Sequence, residues 1–157
     1  MRDISFKEKG LLMNDGTFQK QVIRRTIAKL LIPFIQLFGL YIIAHGKYSA
    51  GGGFQGGVII GASVILYAIV FGIEDSRKWV SQKLSDILNS TGALLFGVIG
   101  LLCAIAGGMY LEYSELIKEN PRLASYLGIY AVEIGIGITV TAVMITLFFE
   151  TARRTDD

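Results

Sequence analysis

The chain contains one cysteine, Cys103, one histidine, His45, and two prolines in 157 residues. A single cysteine excludes an intrachain disulfide, a C-x-x-C redox pair and a multi-cysteine metal site, and leaves Cys103 to fill core space. A single histidine excludes a His-rich metal centre and bis-histidine haem ligation by this chain alone. Charge is equally scarce, with 18% of residues charged. The sequence offers no nucleophile-base pair, no metal cluster and no pair of carboxylates in one site, so no catalytic residue, no metal and no cofactor is assigned to this chain. No G-K-[ST] completes a phosphate-binding loop, no Pro/Ser-rich linker divides the chain, and no internal repeat is evident. A formal net charge of +2 gives no reason to expect a nucleic-acid partner.

Apolar residues, by contrast, make up 52% of the chain, and mean hydropathy is +0.54. That is too oily for a soluble domain of this size. A hydrocarbon core about 30 Å thick takes about 20 apolar residues at the helical rise. Four charge-poor runs qualify, at residues 27–45, 57–73, 91–110 and 126–149. The second is near the short limit and starts inside the preceding glycines, and the last is long enough to tilt. The first follows a long polar and mixed stretch, which fits a retained span better than a signal peptide. The expected architecture is all-α: an integral, multi-pass protein of the cell membrane, with four transmembrane helices bundled in one domain (residues 21–154) behind an N-terminal arm (residues 1–20).

The basic residues set the orientation. Four spans put the arm, the 74–90 loop and the C-terminal tail on one side, with Arg2, Lys7, Lys9, Lys20, Arg24, Arg25, Lys29, Arg77, Lys78, Lys83, Arg153 and Arg154. The opposite side holds only Lys47, Lys118 and Arg122. The positive-inside rule then places both termini in the cytoplasm. Lys29 can snorkel to that interface, and Trp79 lies where an interfacial aromatic belongs. Val80, Leu84, Ile87 and Leu88 share one helical face, so that stretch either lies along the inner surface or forms a solvated helical loop.

Residues 51–57, "GGGFQGG", hold five glycines. Each costs about 1 kcal/mol relative to Ala in a helix interior, so the helix is expected to break there. Broken backbone survives near a membrane only in water, against protein or lining a cavity. Two readings follow: a packed re-entrant turn, with the glycines admitting a neighbouring backbone and Phe54 filling a pocket, or a plain external loop. Gly51, Gly53 and Gly56 also match G-x-G-x-x-G, but both flanks read as transmembrane helices and no βαβ unit surrounds them, so dinucleotide binding is not supported.

Glu133 sits about seven residues inside the last span. An ionisable group there costs on the order of 3 kcal/mol on insertion scales and is a functional candidate by default, the alternative being a hydrogen-bonded carboxyl that holds helices together. Tyr126, Tyr130, Gly137 and Thr141 share its face. Glu133, His45, Tyr130 and Thr141 are therefore candidates for an ion path. His45, at the end of the first span, either pairs with Glu133 or caps the helix and glycine turn. Gln36, mid-span, calls for a partner on a neighbouring helix. Pro33 removes one bond from the first span, giving a tolerated kink. Small residues recur every four positions at Gly57/Gly61, Gly100/Ala104/Gly108 and Ala131/Gly135/Thr139, and such rows permit close helix contact. The external loop carries Glu112, Glu115 and Glu119, which either concentrate cations at a path's mouth or are merely solvated.

Residues 37–72, "LFGLYIIAHGKYSAGGGFQGGVIIGASVILYAIVFG", resemble the signature of the B subunit of Mrp-type cation/proton antiporters (the MnhB or MrpB type). The same module recurs in membrane-bound hydrogenases and sulfur-reducing complexes. The family pattern H-G-H-x-[ST]-P-G-G-G-F-Q-G-G is met at His45, Gly46, Ser49, Gly51, Gly52, Gly53, Phe54, Gln55, Gly56 and Gly57. Lys47 replaces its second histidine and Ala50 its proline. The resemblance implies an accessory, non-catalytic membrane subunit of a multi-subunit complex that exchanges Na⁺ for H⁺, helping to form or seal the ion path among other membrane subunits. The alternative host is a redox-driven, hydrogenase-like complex.

Overall fold

The computed structural model describes residues 3–46, 51–117 and 119–154. Four helices in it are long and apolar enough to cross a membrane. The helices run as α1 (Asp3–Ala44), α2 (Gly52–Phe71), α3 (Ile73–Trp79), α4 (Gln82–Ile105) and α5 (Pro121–Arg154), with a 3-10 turn at Tyr113–Leu116 between the last two. Ser49 of the glycine motif, and Lys118, lie outside the described residues.

Helix ends depart from the hydropathy boundaries wherever local chemistry supplies a cap. α1 is one helix of 42 residues, about 63 Å at the helical rise, so no helix boundary separates the arm from the first span. Pro33 lies inside it without interrupting it. α4 starts at Gln82, nine residues ahead of the expected span, because the Ser81 hydroxyl accepts the Leu84 N–H at 3.3 Å. The stretch after Val80 is thus the foot of the third spanning helix and not a separate surface helix. At its far end Gly107, with φ +99°, donates its N–H to Ala104 O while Gly108 donates to Cys103 O, each at 3.2 Å. That is a Schellman motif, and it stops α4 at Ile105, short of the expected Tyr110. Gly108 therefore drops out of the Gly100/Ala104 row. Pro121 opens α5 five residues early, in the position where its missing N–H has no helical partner to lose.

The glycines overturn the expectation of a broken helix. Only Gly51, with φ +89°, takes a turn conformation; Gly52, Gly53, Gly56 and Gly57 form the opening turns of α2. Helix propensities measured in water misjudge this site for two reasons. Hydrocarbon offers unpaired backbone no alternative partner, and each glycine admits a neighbouring chain that a Cβ would exclude. A Cβ on Gly57 would lie 2.7 Å from Gly137 O and 3.0 Å from Val140 Cβ; one on Gly61 would lie 2.9 Å from Met144 Cβ. On the other side, a Cβ on Gly56 would lie 2.6 Å from Gly39 O of α1. Phe54 is 59% exposed, so it faces outward and fills no pocket within the chain.

The helices pack in the order α1, α2, α5, α4, with α2 and α5 at the centre. Among the described residues the four bundled helices are arranged closer to a layer than to a closed ring. Thr141 of α5 bridges the central seam, its hydroxyl 3.0 Å from Gly57 O and 2.8 Å from its own-helix Gly137 O. α4 meets α5 at Gly92, where a Cβ would run into the Thr139 hydroxyl. Towards the termini, Ala68, Ile145 and Phe149 form a small core with Val64, Val80 and Phe148 packed on it. Arg77 locks the α3–α4 corner to α5: its guanidinium lies 4.4 Å from the Phe149 ring centroid, and Nη1 donates to Gln82 Oε1 at 2.5 Å. Cys103 is fully buried, as expected of a core filler.

Two glycines of opposite surroundings test this packing. Gly57→Leu is expected to lower the melting temperature in detergent markedly, with a cost of about 1–3 kcal/mol from overpacking. Gly97→Leu, where a Cβ meets nothing within 4 Å, is expected to leave it unchanged. Equal melting temperatures for the two variants would refute the glycine seam.

Candidate functional site around Glu133

Three helices converge where α1 ends and α2 begins. α5 contributes Glu133, which the early start at Pro121 puts 12 residues into the helix, about 18 Å along it and deeper than its hydropathy run implied. α1 contributes Ile43 and, just past its end, Gly46; a Cβ on Gly137 would lie 2.9 Å from Ile43 Cδ1. α2 contributes Gly53. A Cβ on Gly46 would overlap the Glu133 carboxyl, and one on Gly53 would overlap the Glu133 carbonyl oxygen. Gly52 in turn packs on Gly46, where a Cβ would lie 3.0 Å from Ile42 O. The absence of side chains at Gly46 and Gly53 is thus what makes room for a carboxylate between α1, α2 and α5.

The carboxyl itself is incompletely satisfied. Oε2 of Glu133 is buried, and no described residue hydrogen-bonds it. A carboxyl oxygen withdrawn from water without a donor is costly, and a proton, a cation or a water molecule would each relieve it. Such an oxygen is a candidate exchange point for a cation or a proton.

The other sequence candidates fall into three groups. His45 does not pair with Glu133. Its N–H donates to Tyr41 O at 3.0 Å and its exposed ring stacks on Tyr41 with centroids 4.2 Å apart, so it continues the last turn of α1. Tyr130 is half-buried on α5, its ring parallel to that of Tyr126 at 6.2 Å. Thr141 shares the face of Glu133, but its hydroxyl is engaged by the seam carbonyls. Of the glycine motif, Gly46, Gly52, Gly53, Gly56 and Gly57 are buried, while Gly51, Phe54 and Gln55 are exposed.

Glu112 in the external loop is exposed, and its Oε2 accepts the Met109 N–H at 2.7 Å. Gln36 and several residues that the sequence did not flag emerge elsewhere. Gln36, expected to need a partner, lines a crevice of about 270 Å³ together with Ser63, Tyr67, Ser76 and Trp79. Ser76 is 1% exposed, and no described residue hydrogen-bonds its hydroxyl. A serine in a short polar helix gives no signal of burial in the sequence. Likewise Tyr110 and Tyr113 fold back over Gly100 and Gly128 and close the loop onto α4 and α5.

The family description "Domain related to MnhB subunit of Na+/H+ antiporter" matches residues 23–146, the larger part of the chain and all of the site just described. The chain belongs to the MnhB family. A protein of Staphylococcus haemolyticus described as "Putative antiporter subunit mnhB2" is 26% identical over 131 residues, which cover 82% of this chain and 92% of the relative. Its counterpart in Staphylococcus aureus is 28% identical over the same shares. An uncharacterised protein of Methanocaldococcus jannaschii is 33% identical over 117 residues, 71% of this chain and 44% of that longer protein. No solved structure matches. With four spanning helices and this family membership, the protein is a multi-pass membrane protein.

The contact of Gly53 with Glu133 makes a specific prediction for this MnhB-family chain. Gly53→Leu must push α5 away from α2 and is expected to abolish recovery of the subunit with its complex after mild detergent extraction. Gln55→Leu, at an exposed position two residues on, is expected to leave recovery unchanged. Full recovery of Gly53→Leu would show that this close approach is dispensable.

Proposed function

We propose that this MnhB-family chain is an accessory, non-catalytic subunit of a multi-subunit Mrp-type antiporter exchanging Na⁺ for H⁺, and that Glu133 stands on the ion route. Family membership supports the antiporter assignment. The observation that carries the finer reading is the buried Oε2 of Glu133, unpartnered among the described residues and held where Gly46 and Gly53 leave room for it. A carboxylate retained at membrane depth without a structural partner is costly to keep for packing alone. In this reading Tyr130, one turn before Glu133 on α5, belongs to the same route. Thr141 and the glycines hold α2 and α5 at the spacing the carboxyl requires, and both termini face the cytoplasm with most of the basic residues.

The test uses inverted membrane vesicles containing the whole complex, with subunit content matched by immunoblot. Glu133→Gln keeps the shape and removes the charge. It is expected to reduce the Na⁺-dependent collapse of ΔpH several-fold without loss of assembly. Exchange equal to wild type across pH and Na⁺ concentration would remove Glu133 from the route and leave the chain as scaffold.

A further inference from the structure

The end of the layer that carries both termini presents a second arrangement, unrelated to Glu133. Gln21, Arg24 and Arg25 of α1 line a crevice of about 360 Å³ whose opposite wall is the last turn of α2, with Ile69, Phe71 and Gly72. Depth in the membrane follows from the two walls together. α2 ends at Phe71 and the first charged residue after it is Glu74, so hydropathy puts the limit of the hydrocarbon region near this end of the crevice. The two arginines reach into the same crevice and therefore lie at headgroup level. One turn along α1, Lys29 Nζ lies 6.0 Å from the ring centroid of Phe71, which lines the crevice.

The crevice is open on one flank, where its wall residue Ile69 is 68% exposed. No carboxylate neutralises the arginines by an ion pair among the described residues. Arg24 Nε reaches only Lys20 O, at 3.4 Å. Asp75 feels the charge of Arg25, but Lys78 holds it at 2.7 Å. Glu74 and Asp75 line an adjacent crevice that shares Ile69, Phe71 and Gly72. Two arginines lining one crevice with an apolar wall, at the end of a spanning segment, complement a phosphodiester carrying acyl chains.

We propose that this groove between α1 and the end of α2 binds one anionic phospholipid, its phosphate held by Arg24 and Arg25 and its acyl chains running down over Ile69. The lipid would fix the angle between α1 and α2 at the end remote from Gly46, and so tie the packing of this subunit to the anionic lipid content of its membrane.

Native mass spectrometry of the full chain, released from detergent and titrated with phosphatidylglycerol or phosphatidylcholine, tests the proposal. Wild type is expected to retain phosphatidylglycerol at concentrations at which phosphatidylcholine has dissociated. Arg24→Gln/Arg25→Gln is expected to lose that preference, by about fivefold for each arginine removed. Lys83→Gln, an exposed basic position on α4 outside the crevice, is expected to keep it. Equal retention of the two lipids by wild type, or an undiminished preference in the double variant, would overturn the proposal. Circular dichroism accompanies each sample. Should the double variant lose its helicity, the two single variants decide: each loses part of the preference if the site is real, and two singles that match wild type refute it.

Discussion

The close approach of α2 to α5 governs the rest of the molecule. Lipid tails are as apolar as leucine side chains, so apolar surface alone gives two helices no reason to associate in a membrane. What remains is dispersion at short range and hydrogen bonding across the contact. Gly53, Gly57 and Gly61 supply the first by letting α2 lie against the backbone of α5, and the Thr141 hydroxyl supplies the second by meeting Gly57 O. The outer helices then attach to the two sides of this pair, α1 through Gly56 and Gly39, and α4 through Gly92 and Gly135.

This seam also determines where a charge can be kept. Because Gly53 meets the Glu133 backbone, the Glu133 carboxyl is directed towards Gly46 and the end of α1. Any side chain at either glycine would compete with the carboxyl for space. The same glycines therefore set both the helix packing and the room left for the acid.

Hydropathy alone made the four spans legible, since in a bilayer the run length of apolar residues is dictated by thickness. Their ends were less so: the Ser81 cap, the Schellman motif at Gly107 and the start at Pro121 are decided by single residues at the boundary, which a span-length window averages away. The glycines misled because a propensity scale describes an isolated helix in water, whereas their cost here is offset by neighbours far away in sequence. Glu133 was identifiable as an intramembrane acid. Its nearness to Gly46 was not, because the contact depends on α1, α2 and α5 meeting at one end. Whether Phe54 fills a pocket and whether His45 pairs with Glu133 was left open by their position beside the glycines; on the folded chain both side chains are exposed.

The order α1, α2, α5, α4 makes this subunit a partition one helix thick over much of its width. A partition encloses no lumen of its own. An ion reaching Glu133, which α1, α2 and α5 flank, would leave this chain across an open face and need another protein, or the motion of α1 itself, to enclose the rest of its route. Conduction would then be a property of a joint between subunits and not of either member, and it would be lost as readily by misaligning the two walls as by altering the acid.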